Sequence, residues 1–333
     1  MAPHLSKGHL YLLELISQFP DHGDRTIAKL AYKKKPKLFT SLENCYGLVR
    51  YIRGHSGKML RKNIKNKEMI KPVYAASDHK WDLPISQSEK KVVWTLPTSI
   101  KKVAVLSDIH FPYQDNDALT AVLDDCLKED VDAFFINGDM LDFYSLSFHE
   151  KDPQKMDVPL ALEMGQNFFK MLKNNFPRAQ VYFIPGNHEK RLQRYLRVKA
   201  PELLDVREFH LDILLKVAEI GVHYIPHGSK CYFGKLLIEH GDKMLGAGGI
   251  DPARTLFMRF KRDVLCGHFH RTKDHLAKIY DGSTIMTHAT GCLCELEPGY
   301  MELNEHNHGY ALVHMTNGVH RVENKKIFNG KIY

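Results

Sequence analysis

The sequence predicts an α/β protein led by a small all-α module, and three observations carry that reading. From Ile100 onward, apolar strand-like runs alternate with amphipathic helical stretches. Before Pro72, apolar residues instead recur at helical spacing among many lysines and arginines. Several of the strand-like runs end in Asp, Asn or His followed by a turn. The 333 residues, 44% of them hydrophobic, suit two domains and a large core, since a domain takes roughly 100–200 residues. The expected division is a basic helical domain over 1–71, a linker over 72–99 and an α/β domain over 100–333.

In the first domain, Leu5, Leu12, Leu13, Leu15, Ile16 and Phe19 define one helix that Pro20-Asp21-His22-Gly23 ends. Asp24 is the expected cap of a second, Arg25 to Tyr32, stopped by Pro36. Ser41 is the expected cap of a third, with Leu42, Tyr46, Val49 and Ile52 on one side and Gly54 at its end. Residues 72–98 carry no periodicity and read as a linker, with Trp81 and Trp94 as anchors.

Strands are expected at Val103–Ser107, Ala133–Asn137, Val181–Pro185, Val222–Ile225, Lys235–Glu239, Asp263–Cys266 and Thr284–His288, with a closing hairpin that turns at Asn317-Gly318. Helices are expected at Asp117–Leu127, Pro159–Lys173 and Arg191–Ala200.

The net charge of +8 is unevenly placed. Residues 1–72 carry 15 Lys/Arg against 5 Asp/Glu, whereas the rest carries 32 against 34. A basic segment of this kind points to a polyanionic partner. Lys33, Lys34, Lys35 and Lys37 in a turn, with Arg50 and Arg53 on the third helix, give a helix-turn-helix-like module expected to contact nucleic acid. DNA is favoured over RNA.

No run approaches the ~20 apolar residues of a membrane span, and residues 1–30 hold no uninterrupted apolar core of a signal peptide. With six cysteines, a cytoplasmic setting with free thiols is expected. Cys292 and Cys294 lack a second Cys/His pair at finger-like spacing and read as buried strand residues rather than a zinc site.

The polar residues fall in five blocks: Asp108-Ile109-His110, Gly138-Asp139-Met140-Leu141-Asp142, Gly186-Asn187-His188-Glu189, His240 and Gly267-His268-Phe269-His270. Ligands of open α/β sheets bind beyond the carboxyl ends of strands, so distant blocks can meet in one pocket. Two Asp carboxylates, an Asn carbonyl and four imidazoles suit a borderline or hard cation, and seven ligands are too many for one. Two metals would activate a water and clamp a phosphoryl oxygen.

The ordered set D-x-H, G-D-x-x-D, G-N-H-[ED], H, G-H-x-H resembles the calcineurin-like metallophosphoesterase superfamily, whose five blocks all occur between Asp108 and His270. The resemblance implies a four-layer α/β/β/α sandwich. It assigns Asp108, His110 and His270 to a first metal, Asp139 to a bridge, and Asn187, His240 and His268 to a second. It makes His188 the group that meets the phosphate and protonates the leaving oxygen, with Asp142 orienting it. Glu189 is expected to brace a ligand or cap a helix. Two divalent cations are implied, manganese first, with iron, zinc, nickel or magnesium as alternatives.

Phe143-Tyr144 stands where the superfamily's Ser/Thr protein phosphatases carry Arg-Gly, which lowers that reading. The expectation is a metal-dependent phosphodiesterase acting on nucleic acid. The alternatives are a small-molecule phosphatase or phosphodiesterase acting on nucleotides or cyclic nucleotides, and a DNA-binding regulator with a structural metal site. His306 and His308 read as loop residues, and Arg271 as either a phosphate contact or an ordinary ion pair. Gly246–Gly249 reads as a rim loop, and His149, Lys151 and Lys155 as part of the rim.

Overall fold

The computed structural model describes residues 6–20, 22–54, 92–148, 158–244, 250–297 and 304–333. The chain divides into two compact units, Met1–Glu89 and Lys90–Tyr333. Trp81, His149, Lys151, Lys155 and the Gly246–Gly249 loop lie outside the described residues.

In the first unit, α1 (Lys7–Gln18), α2 (Asp24–Lys34) and α3 (Leu42–Ile52) surround a core of Leu12, Leu15, Ile27, Ala28, Ala31, Phe39, Cys45, Val49 and Ile52. The side chains of Ser6 and Ser41 cap α1 and α3 by accepting from the His9 and Asn44 amides. Each such cap contributes roughly 1 kcal/mol. Asp24 is not a cap: Gly23 occupies that position, and Asp24 opens the helix with its carboxylate 3.0 Å from Arg53.

Arg53 requires a larger correction. Its guanidinium donates to the carbonyls of Phe19, Pro20 and His22 as well as to Asp24. It ties the end of α3 to the turn between α1 and α2, so it does not belong to a free basic face. Lys33, Lys34, Lys35, Lys37 and Arg50 are exposed.

The second unit holds β1 (Val93–Thr95), β2 (Lys102–Leu106), α4 (Asn116–Glu129), β3 (Ala133–Asn137), α5 (Val158–Asn175), β4 (Gln180–Ile184) and α6 (Lys190–Lys199). Two single-turn helices, α7 (Leu211–Leu214) and α8 (Val217–Ile220), lead to β5 (His223–Tyr224), β6 (Lys230–Phe233) and β7 (Leu236–Glu239). The chain continues through α9 (Pro252–Phe260), β8 (Val264–Cys266), β9 (Lys273–Lys278), β10 (Thr284–Ala289), β11 (His308–Thr316), β12 (Val319–Phe328) and β13 (Lys331–Ile332).

These strands form a seven-stranded sheet, β13-β12-β11-β2-β3-β4-β5, and a six-stranded sheet, β1-β6-β7-β8-β10-β9. Alternation along the strands builds the layers. Val103, Val105, Phe135 and Tyr182 pack inward with Cys231, Phe233, Ile238 and Leu265. Their neighbours Ala104, Leu106, Phe134 and Phe183 pack outward against Val122 of α4 and Phe169 and Leu172 of α5. On the far side Leu237, Val264 and Cys266 cover Leu256 of α9. The result is the expected α/β/β/α sandwich, and burial on both faces explains why β2, β3 and β4 read as unbroken apolar runs.

Four strands escaped the sequence reading, the last of them the two-residue β13. β1 falls inside the stretch read as linker and pairs with β6 (Trp94 with Cys231), so the catalytic unit begins earlier than residue 100. β6 is four residues long, and β9 is a polar edge strand. The hairpin turns where expected: Asn317 and Gly318 have φ of 51° and 79°, joining Thr316 to its partner Val319.

Register then places the site. β2, β3 and β4 run parallel, with Leu106 opposite Ile136 and Asn137 opposite Ile184, so their C-terminal loops emerge side by side. In the other sheet Glu239 lies opposite Cys266, which sets His240 beside Gly267-His268.

Candidate metal centre

The loops that follow β2 and β3 are stitched together by backbone hydrogen bonds. Asp108, His110 and Phe111 donate to the carbonyls of Gly138, Asp139 and Met140, and Asp142 donates back to Phe111. This zipper fixes left-handed backbone at Asp108, His110 and Asp139 (φ 58°, 55° and 49°), and His268 and His270 adopt it too (68° and 55°). Such conformations cost of order 1–3 kcal/mol each and persist where surrounding contacts over-determine them. Five of the seven expected ligands carry this strain, which aims their side chains into one volume.

Glycine permits the close approach. A Cβ on Gly186 would lie 2.2 Å from Asp139 Oδ1, and one on Gly138 would lie 2.4 Å from His240 Nδ1.

Asp139 Oδ2 lies 3.0 Å from His240 Nε2 and 3.9 Å from His188 Nε2. Asp108 Oδ1 lies 3.2 Å from His270 Nε2 and 3.9 Å from His110 Nε2. Asn187 Oδ1 is 3.2 Å from His240 Nε2. Potential ligand atoms gather as Asp108–His110–Asp139 and as Asp139–His240–His268, so Asp139 is shared between the two sets. Asp108 Oδ1 and His110 Nε2 are buried with no hydrogen-bond partner. Buried polar atoms without partners are costly, and cations between these donors would satisfy them. The residues fit two metals, with Asp108, His110, Asp139 and His270 around one and Asp139, Asn187, His240 and His268 around the other.

The surroundings fix tautomers and charge. His240 Nδ1 donates to the Asn137 carbonyl at 2.7 Å, leaving Nε2 to face Asp139. Burial alone would raise the Asp139 carboxyl, yet the His240 and His188 rings outweigh it and hold the acid well below its usual range. Burial lowers the His110 and His268 rings, helped by the neighbouring His188 and His240 respectively. Neutral imidazole is the form that coordinates metal.

Glu189 is fully buried and accepts from the backbone amides of Asp139, Leu141 and Gly186 at 3.0, 2.8 and 2.7 Å. Burial and the nearby Asp139 raise its pKa to about 7. It braces the second and third loops; although it stands at the start of α6, its side chain makes no capping bond.

Asp142 Oδ1 lies 2.7 Å from His188 Nδ1 and 3.2 Å from Arg191 Nη1. Arg191 also places Nη2 3.1 Å from His188 Nε2. Sequence reading missed Arg191, although its position three residues after His188 on a helical turn was the available signal. His306, read as an ordinary loop residue, brings its ring within 4.7 Å of the His270 ring. Cys294 Sγ lies 4.0 Å from His270 Nδ1. Arg271 pairs with Glu305 at 2.6 Å, which is the ion-pair alternative, and His308 opens β11 instead of sitting in a loop. All nine residues expected at the site, from Asp108 to His270 with His188 and Asp142, are brought together; the lysines of residues 33–37 and Arg50 belong to the other unit.

The sequence profile of the calcineurin-like phosphoesterases matches residues 101–272, the stretch that supplies every one of these loops. The chain belongs to the calcineurin-like phosphoesterase family. It is 30% identical over 189 residues to the gene 54 protein of Mycobacterium phage L5, covering 51% of this chain and 69% of that protein. The gene 54 protein of Mycobacterium phage D29 is 29% identical over the same length.

Among solved structures, Vacuolar Protein Sorting 29 from Cryptosporidium parvum aligns at 14% identity and a TM-score of 0.40, over 70% of this chain and 95% of that one. YfcE, a phosphoesterase from E. coli, aligns at 14% identity and 0.30, over 63% and 87%. As a calcineurin-like phosphoesterase, the protein is a metal-dependent hydrolase of phosphoesters. No helix among the described residues is long and apolar enough to cross a membrane.

Proposed function

We propose that this phosphoesterase is a phosphodiesterase of nucleic acid, a nuclease that works with two divalent cations, manganese first. The observation that carries the nucleic-acid half is the excess of 15 Lys/Arg over 5 Asp/Glu within residues 1–72, with Lys33, Lys34, Lys35 and Lys37 exposed at the end of α2 and just beyond it. Phosphate contacts dominate nucleic-acid affinity and take Lys and Arg of this kind. The six cysteines are free and buried, which suits action in a reducing compartment such as the cytoplasm.

The metals, when bound, would polarise the phosphoryl group and supply a nucleophilic water at neutral pH. The chain's own residues do the rest. Burial disfavours a charged His188, but the carboxylates of Asp139 and Asp142 outweigh it and raise its pKa. A ring protonated near neutrality can give its proton to the departing oxygen. Asp142 holds Nδ1, and Nε2 stands 3.9 Å from Asp139 Oδ2 and 3.1 Å from Arg191 Nη2, which donates to it in this structure. Arg191 donates to the same carboxylate.

The test compares the intact chain with a chain lacking residues 1–72 on two substrates. Deletion should weaken binding to polynucleotide while a small chromogenic diester is still hydrolysed. If the intact chain has no affinity for DNA or RNA at low salt, the substrate is a small phosphoester and the nuclease reading falls.

A further inference from the structure

Helix α6 leaves the metal centre directly: Asn187 and His188 precede it, and the Arg191 amide already donates to the His188 carbonyl. Its sequence, KRLQRYLRVK, holds five cations and no acid. Leu192 and Leu196 are buried and dock the helix, which turns the charged residues outward. The cations are graded along it. Lys190 and Arg191 are engaged near the centre by Asp242 and Asp142 at 3.3 and 3.2 Å. Arg197 and Lys199 are exposed and make no ion pair among the described residues.

Between them sits an aromatic platform. Phe148 is 61% exposed, and the Arg194 guanidinium lies 5.2 Å from its ring centroid. Tyr195 is 39% exposed on the same turn. Arg191 and Tyr195 lie four residues apart on the helix and therefore share a face, and a ten-residue helix runs about 15 Å. Bases stack on such rings while the phosphates meet the cations, the arrangement used for single strands.

We propose that α6 and Phe148 form a track for single-stranded nucleic acid, with phosphates on Arg194 and Arg197 and bases on Phe148 and Tyr195. The strand runs toward His188, which brings its scissile phosphate to the metal centre. The track rests on the nucleic-acid reading above and narrows it from polynucleotide to unpaired strand. The track belongs to the second unit, whereas Lys33, Lys34, Lys35 and Lys37 belong to the first.

The experiment measures fluorescence anisotropy of a short phosphorothioate oligothymidylate, and of a duplex of equal length, with the metal-loaded full chain. Wild type should prefer the single strand. Phe148→Ala with Tyr195→Ala should weaken single-strand binding on the order of tenfold with an unaltered Tm. Phe148→Trp alone should retain full affinity.

Arg194→Gln with Arg197→Gln should flatten the salt dependence by roughly 0.7 for each phosphate no longer neutralised. If wild type binds nucleic acid but the aromatic and arginine pairs bind as it does, with only Lys33, Lys34, Lys35 and Lys37 changed to Gln weakening it, the track is rejected and the nuclease reading stands. A Phe148→Trp variant as weak as the alanine pair would assign the loss to structure and also reject the track. If wild type binds neither strand form, both readings fall together.

Discussion

The carboxylate of Asp142 holds His188 through Nδ1 at 2.7 Å, and Arg191 donates to the same oxygen, Oδ1, at 3.2 Å. His188 joins His110 and Asp142 in one potential ligand group but stands outside the two groups that share Asp139. His188→Ala should lower turnover by about 10²–10⁴-fold, the usual contribution of general acid–base assistance. Metal content should stay at the wild-type level in elemental analysis. Near-normal turnover at neutral pH would remove His188 from the chemistry.

Glu189 accepts from three buried backbone amides. A buried donor left unsatisfied costs about 1–3 kcal/mol, so Glu189→Ala should lose several kcal/mol. Glu189→Gln keeps one acceptor oxygen and should lose less. Denaturant melts of the two variants check the order, and equal stabilities would contradict the bracing role.

Arg53 and the neighbouring lysines should separate stability from binding. Arg53→Ala removes donors to Phe19, Pro20, His22 and Asp24 and should destabilise the first unit by about 1–3 kcal/mol. Changing Lys33, Lys34, Lys35 and Lys37 to Gln should leave its stability within about 0.5 kcal/mol while weakening polynucleotide binding. Circular dichroism melts and a salt titration of binding distinguish the two; a nucleic-acid defect without a stability defect in Arg53→Ala would restore Arg53 to the binding face.

Asp125 accepts from both Tyr310 and Lys325 where α4 packs on β11 and β12. Burial opposes its charge, but Lys325 and Tyr310 outweigh that and hold its carboxyl below the usual 3.8. A depressed carboxyl stabilises the fold above the unfolded pKa and loses that contribution as pH falls through the folded value. Asp125→Asn should therefore lower Tm at neutral pH, and the gap from wild type should shrink as pH drops below about 4. A gap that widens in acid would reverse the assignment.

The α/β order and the site were legible because the chemistry-bearing residues stand at the carboxyl ends of apolar runs, where Asn137 and Glu239 hand over to Asp139 and His240. Short or polar strands were not. The β9 sequence KDHLAK is an exposed edge with little to distinguish it from loop, and β1 is three residues held by pairing with β6 and by Trp94 against the inter-sheet core. Arg53 looked like its basic neighbours because its partners are carbonyls of a turn thirty residues away in sequence. His306 reaches His270 only through the packing of the segment before β11, a tertiary fact with no local signal.

Asp139, shared by two of the potential ligand groups, is the residue on which the proposed two-metal centre must depend. The most direct measurement is Mn²⁺-dependent cleavage of single-stranded DNA and RNA by the intact chain, read beside metal content, for wild type and Asp139→Asn. Wild type should hold two equivalents and cleave at least one of the polymers. Chelation should abolish cleavage, and Asp139→Asn should lose metal from both sites along with activity. A fully loaded wild type that leaves both polymers intact while hydrolysing p-nitrophenyl phosphate would overturn the nuclease assignment, and an Asp139→Asn variant that keeps two equivalents would overturn the shared carboxylate.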